Sequence, residues 1–332
     1  MTQALLEIED LSIHYPVRRG LFQALGRRPR SVVHAVDGVS LRLARGEMVA
    51  VVGESGCGKS TTAKAICGLV SPTGGSVRLD GREITGLPER RLRPVRRRVQ
   101  MIYQDPYESL DPLCRVRDIL AEPMLIHGLG GSRAERATLA EEALERSGLA
   151  PGRAFLDRYP HELSGGQRQR VAIAAALVLG PEVLLADEPV SMLDVSVRAG
   201  VLSLLDTLRR DQDTAILMIT HDLSTAAHFA DRIVVMYLGR VVEQGPAHEV
   251  VHHPRHPYTQ ALLSAVPQRD PRDQAKPQLL TGETPDPVDI PPGCRFRSRC
   301  PVGETDCELT DPVLRVGPSD MDSGHEVACL HA

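Results

Sequence analysis

The chain has 332 residues, a formal net charge of -4, 42% hydrophobic residues and 25% charged residues, an ordinary balance for a globular protein with one or two domains. The slight acidity argues against a nucleic-acid binder. The longest apolar run, VAIAAALVL at 171–179, is about half of what a membrane-crossing helix needs. The opening MTQALLEIEDLSIHY carries acids and no long apolar core, so it does not read as a secretion signal. The seven cysteines are therefore expected as thiols in a reducing compartment rather than as disulfides.

In chain order, LLEIEDLSIHY alternates apolar and polar residues and predicts a strand. A stretch rich in Arg, Gly and Pro follows, and VHAVDGVSLRLARG then reads as a second strand pair. EMVAVVG is short and continuously apolar, as a buried parallel strand would be. It enters a glycine-rich loop, after which KSTTAKAICGLV has helical spacing. SRAERATLAEEALERSGL (132–149) predicts an amphipathic helix stopping near Gly148. QRQRVAIAAALVLG, EVLLADEP and AILMITHD continue an alternating helix and strand pattern, which predicts an α/β fold. Past residue 250 prolines multiply and periodicity fades. We set the boundary at 255, giving a nucleotide domain over 1–255 and an extension over 256–332. No internal repeat is evident.

Gly53-Glu54-Ser55-Gly56-Cys57-Gly58-Lys59-Ser60 fits the phosphate-loop pattern G-x-x-x-x-G-K-[ST], with a strand before it and a helix after it. Its glycines let backbone N–H groups turn toward phosphate oxygens, and the helix that follows adds its positive end. Lys59 would neutralise phosphates, the Ser60 hydroxyl would ligate Mg²⁺, and Thr61 extends the binding run. Further on, Val183-Leu184-Leu185-Ala186-Asp187-Glu188 is an apolar strand ending in two carboxylates. Asp187 is suited to Mg²⁺ and Glu188 to orienting and deprotonating the attacking water.

Leu163-Ser164-Gly165-Gly166-Gln167 discriminates among phosphate-loop proteins, with Ser164 lying 23 residues before Asp187. This segment resembles the signature of ABC ATPases. The resemblance implies an α/β P-loop NTPase fold with a RecA-like core, an antiparallel β subdomain and a helical subdomain. It also implies that the segment binds the γ-phosphate of ATP held by an opposite subunit, so that one chain contributes two half-sites. Gln104 resembles the glutamine that touches Mg²⁺ or water and links the site to the membrane subunit. Ser191-Met192-Leu193-Asp194 resembles the D-loop, with Asp194 at the dimer interface, although Met192 departs from the common Ala. His221 resembles the switch histidine that contacts the γ-phosphate. Tyr15 stands where the family stacks a ring on adenine.

HHPRHPYTQALLSAVP (252–267) and TGETPDPVDIPPGCRFRSRC (281–300) resemble the C-terminal region of oligopeptide/dipeptide permease ATPases, and Val190 resembles the F-type subunit. This implies a second, D-type ATPase chain, two transmembrane permease subunits, an extracytoplasmic solute-binding protein and a place on the cytoplasmic face of the inner membrane. Alternatives are an importer ATPase for another small solute such as nickel, or a soluble ABC protein without a transport role. The cysteines Cys294, Cys300, Cys307 and Cys329 do not have zinc-finger spacing. Some members of the resembled family hold a [4Fe–4S] cluster here, which four thiolates suit. Zinc, with His325 or His331 nearby, and unligated thiols are the other readings. Cys57, Cys67 and Cys114 read as packing or loop residues. The basic runs GRRPR (26–30) and ERRLRPVRRR (89–98) read as solvated faces, or as contacts to lipid headgroups or the membrane subunit, and not as a nucleic-acid site.

Overall fold

Strands in this chain fall into two burial classes, and those classes decide where each strand lies. The computed structural model describes residues 4–17, 31–266, 280, 282–317 and 324–332. Its strands are β1 (Ala4–Pro16), β2 (Val32–Ala44), β3 (Met48–Val52), β4 (Gly74–Leu79), β5 (Arg82–Glu83), β6 (Val99–Ile102), β7 (Val183–Asp187), β8 (Ala215–Thr220), β9 (Arg232–Tyr237), β10 (Arg240–Pro246), β11 (Arg315–Val316) and β12 (Glu326–Val327). Every residue of β3, β7 and β8 is buried, as expected of parallel strands covered on both faces. β1 instead alternates, burying Leu6, Ile8, Leu11 and Ile13. The basic run at 26–30 lies outside the described residues.

One expectation needs correcting. The segment read as a second strand pair is a single strand, β2. Its Asp37-Gly38 step kinks the chain but does not reverse it. Gly38 takes φ 77°, and its N–H donates to Ser12 Oγ at 3.1 Å, so the irregularity is absorbed within the strand.

The chain separates into two compact units. The first, mainly Gly86–Ile219, has β6, β7 and β8 in parallel, with Val99 beside Val183 and Val183 beside Ala215. The helices Val116–His127, Arg133–Arg146 and Gly165–Leu177 share a core of Leu120, Met124, Leu144, Val171 and Ala174. Local sequence sets their ends. Gly128 stops the first helix at φ 68°, with the Leu129 N–H reaching the Met124 carbonyl at 2.8 Å, a left-handed C-cap. Ser132 caps the second, accepting from the Glu135 N–H at 3.1 Å. The arginine-rich run becomes the helix Glu89–Arg98, which buries only Leu92. Glu182 takes Arg98 and, at 2.7 Å, Arg45, and the Arg98 hydrogen bond above all holds its carboxyl below the ordinary range.

The second unit, mainly Glu7–Arg42, Val49–Thr85 and Thr220–Ala332, contains a sheet ordered β2-β1-β4-β5. It also contains β3 parallel to β9, followed by antiparallel β10, β12 and β11. The C-terminal extension thus adds strands of its own. Its two-residue strands β11 and β12 are too short to show any periodicity. The extension has little core and borrows one: Phe296 is 1% exposed and packs on Tyr237 and Tyr258, with ring centroids 5.2 and 5.4 Å away. Fully buried Glu243 in β10 is satisfied by the N–H groups of Arg255 and His256 at 2.8 and 3.1 Å and by His325 Nε2 at 2.8 Å, which offsets the cost of burying an acid. Phe296→Ala is expected to cost about 3–5 kcal/mol, read as a lower urea midpoint, with limited proteolysis cutting the extension first.

Candidate functional site

The phosphate loop joins buried β3 to the helix Lys59–Ile66 in the second unit. Two of its glycines are required by close approach. A Cβ on Gly53 would lie 2.2 Å from the Met236 carbonyl oxygen, and one on Gly58 would lie 2.2 Å from that of Ala35. Both take positive φ, 154° and 106°, which favours glycine. Gly58 is the helix N-cap and offers no side-chain cap, so backbone rather than a side chain fills the position facing the helix start, where an anion is favoured. Lys59 is 6% exposed, and its Nζ donates to the carbonyls of Gly53 and Glu54 at 2.7 and 2.8 Å. Ser60 and Thr61 lie in the first turn of this helix. Cys57 is buried in the loop, and burial pushes its thiol up, consistent with the packing role expected of it.

Sequence reasoning missed what holds this loop from outside. The Tyr258 hydroxyl accepts the Glu54 N–H at 2.8 Å. The Glu54 carboxylate takes Thr284 Oγ1 at 2.7 Å and two nitrogens of Arg299 at 2.8 and 3.0 Å. Burial by itself raises the Glu54 carboxyl, yet the Arg299 and Thr284 hydrogen bonds leave it below its ordinary range. The only hint in the sequence was chemical: an acid inside an anion-binding loop calls for a cationic partner. Spacing gave no sign of which.

In the first unit, β7 ends at buried Asp187. Glu188 follows with φ 45°, a sparsely populated conformation for a non-glycine residue that tends to mark functional sites. It is fixed by its own N–H to the Ile219 carbonyl at 2.9 Å, and by the Ser191 N–H and hydroxyl on its carbonyl at 3.2 and 3.1 Å. Gln104 Nε2 donates to Glu188 Oε2 at 3.2 Å, so two residues expected at one site do meet. Ser164 caps the helix Gly165–Leu177 through a capping box. Its hydroxyl accepts the Gln167 N–H at 3.3 Å, and Gln167 Oε1 accepts the Ser164 N–H at 3.0 Å. Leu163 is buried in the helical core, and Gly166 approaches Val197 so closely that a Cβ would meet it at 2.6 Å. The box presents Ser164 and Gly165 at a helix start, as an anion site requires. Asp194 starts the helix Val195–Gln212, and neighbouring Met192 is 58% exposed, away from the core.

Tyr15 lies near the end of β1, 40% exposed, as an aromatic available for stacking would be. His221 is exposed directly after β8, where Asp222 caps the helix Leu223–Phe229 through the Ser224 N–H at 2.9 Å.

All seven cysteines are free thiols. Cys294, Cys300, Cys307 and Cys329 line one enclosed, largely apolar cavity with Phe296, Val302 and Leu330. Burial first, then the other three thiols, pushes Cys294 up to about 11. The Cys294 N–H meets the Cys307 carbonyl at 2.8 Å, and the His331 N–H points at Cys329 Sγ at 3.4 Å. His331 Nε2 pairs with Asp306 at 3.1 Å beside Cys307, whereas His325 is committed to Glu243. The four soft donors share the lining of one cavity, but among the described residues the close donor group here is Asp306, Cys307 and His331 rather than the four thiols.

The ABC transporter family matches residues 36–191, and the oligopeptide/dipeptide transporter C-terminal region matches 242–307. The chain is 46% identical to the oligopeptide transport ATP-binding protein OppF of Escherichia coli strain K12, covering 99% of this chain and 96% of that one. It is 45% identical to the dipeptide transport ATP-binding protein DppF of the same strain, covering 95% and 92%. Among solved structures, the dimeric post-hydrolysis ATP-binding cassette MJ0796 bound to ADP and Pi superposes with a TM-score of 0.64 at 30% identity, over 73% of this chain and 98% of that one. Relatives that match almost end to end, through both the phosphate loop and the cysteine-bearing extension, place the chain in the ABC transporter ATP-binding family, in its oligopeptide/dipeptide branch.

Proposed function

We propose that the chain is the ATP-hydrolysing subunit that powers an importer of oligopeptides or dipeptides. The observation that carries this reading is the near full-length identity to ATP-binding proteins of oligopeptide and dipeptide transport. No helix among the described residues is long and apolar enough to cross a membrane, so the pore belongs to partner permease subunits. A second ATPase chain of the D type and an extracytoplasmic solute-binding protein complete the machine, which this subunit serves from the cytoplasmic face of the inner membrane.

Each unit supplies a definite part of the chemistry. In the second, Tyr15 stacks on adenine, and the loop from Gly53 to Thr61 cradles the triphosphate through backbone N–H groups and Lys59. His221 contacts the γ-phosphate. In the first, Glu188 orients and deprotonates the attacking water, while Gln104 holds its carboxylate. Ser60, Gln104 and Asp187 are oxygen donors of the kind a hard cation takes, and they would hold Mg²⁺, which neutralises developing phosphate charge when bound. The segment Leu163–Gln167 and Asp194 face the ATP of a partner subunit. The nucleotide domain over 1–255 carries these roles, and the extension over 256–332 buttresses it.

Cys294, Cys300, Cys307 and Cys329 would hold a [4Fe–4S] cluster, which supplies a covalent cross-link between segments far apart in sequence. Their placement on one cavity supports this reading. An anaerobic preparation is expected to be brown, with about four iron atoms per chain. A colourless protein containing zinc and no iron would replace the cluster with a zinc site.

Co-purification with the membrane subunits, followed by a screen for solutes that stimulate ATP turnover, tests the transport reading. Short peptides are expected to stimulate, and stimulation by nickel but by no peptide would overturn it. Glu188→Gln is expected to lower turnover by at least about a hundredfold and to trap an ATP-bound dimer on size-exclusion chromatography. Unchanged turnover would remove Glu188 as the base.

A further inference from the structure

An acid at the second position of a phosphate loop is an electrostatic problem, because an uncompensated carboxylate there repels the triphosphate. Glu54 is such an acid, and its compensation comes from the C-terminal extension. Arg299 Nη1 and Nη2 meet Oε2 and Oε1 at 2.8 and 3.0 Å, the paired fork geometry that makes arginine–carboxylate contacts strong and directional. The Arg299 side chain is 9% exposed and that of Glu54 29%, so solvent screens the pair less than a fully exposed surface bridge. The guanidinium also lies 5.9 Å from the centre of the Tyr237 ring, within reach of a cation–π contact.

Arg299 is held as firmly as it holds. It ends the short turn Arg297–Arg299, its N–H donates to the Phe296 carbonyl at 3.0 Å, and the Cys300 N–H closes on the Arg297 carbonyl at 3.1 Å. Phe296 anchors that turn in the aromatic cluster. Thr284 Oγ1, 2.7 Å from Glu54, also receives Arg299 Nη1 at 3.2 Å, so the arginine is bonded on two sides.

We propose that Arg299 is a positioning residue for nucleotide binding: it cancels the charge of Glu54 and fixes the phosphate loop from the C-terminal extension. This rests on the ATP-binding reading above. The catalytic groups are untouched, so the effect falls on nucleotide affinity and not on the hydrolytic step. Both members of the pair matter through their charge, and each variant therefore has a definite sign.

Equilibrium binding of MgADP to the purified full-length chain, at low and high salt, reads this directly. Binding by the parent chain tests the ATP-binding reading itself, and the variants test Arg299 alone. Arg299→Gln is expected to weaken MgADP by about tenfold at low salt, roughly one charge–charge contact near the phosphates, with the gap narrowing at high salt because Glu54 keeps partial contact with solvent. Arg299→Lys keeps the charge and is expected to retain most of the affinity. The double variant Glu54→Gln/Arg299→Gln is expected to recover most of what Arg299→Gln loses, because the repelling acid is gone. A merely structural arginine would not be rescued in this way. Affinity unchanged in Arg299→Gln, or a double variant as weak as the single, would overturn the proposal. Should Arg299→Gln fail to fold, Glu54→Gln alone decides: tighter MgADP binding than the parent supports it, and weaker binding overturns it.

Discussion

The path of the phosphate loop is possible only where its backbone carries no Cβ, and much of the second unit is arranged around that path. Carbonyls from two different strands, Ala35 in β2 and Met236 in β9, stand where side chains on Gly58 and Gly53 would have to go. The loop is therefore clasped between β2 and β9. The Gly239 N–H on the Cys57 carbonyl at 3.0 Å and the Asp37 N–H on the Gly239 carbonyl at 2.9 Å continue the same clasp. A loop gripped by backbone on both sides has its N–H groups preorganised, so little ordering remains to be done when an anion arrives.

Two helix starts show how the same physics is put to different use. At Gly58 the helix begins without a side-chain cap at its positive end. At Ser164 the helix begins with a complete capping box that satisfies the N–H groups of Gln167 and of Ser164 itself. The first suits a permanent cradle for phosphate. The second is held in shape by its own box, which leaves the N–H groups of Gly165 and Gly166 at the helix start for a ligand brought by another molecule.

Much of this was legible in the sequence because the informative features are local. β3, β7 and β8 are unbroken apolar runs that end in functional residues, so both the strands and the site residues at their ends could be read together. Ser132 and Gly148 marked the bounds of one helix by residue type alone, and that helix runs Arg133–Arg146, whereas the helix Val116–His127 was not read. The Asp37-Gly38 step misled for the same reason: a dipeptide that favours a turn lies within a long strand, and only pairing with Ser12 across the sheet decides between turn and kink. The contacts of the extension were not legible. Arg299, Thr284 and Tyr258 reach Glu54 over more than 200 positions of sequence, and nothing in periodicity encodes such a distance. Of the extension, the sequence singled out the four cysteines, which come to line one cavity, while the residues that carry its contacts to the loop went unmarked.

The separation of 245 positions between Glu54 and Arg299 also has a meaning in time. A chain leaving the ribosome at about 5–20 residues per second exposes the phosphate loop roughly 12–50 seconds before its counter-charge is made. During that interval the loop carries an unbalanced acid, and the aromatic rings of Tyr237 and Tyr258 wait without the Phe296 that covers them. On the proposed role of Arg299, the loop reaches its full affinity for nucleotide only once the extension has docked.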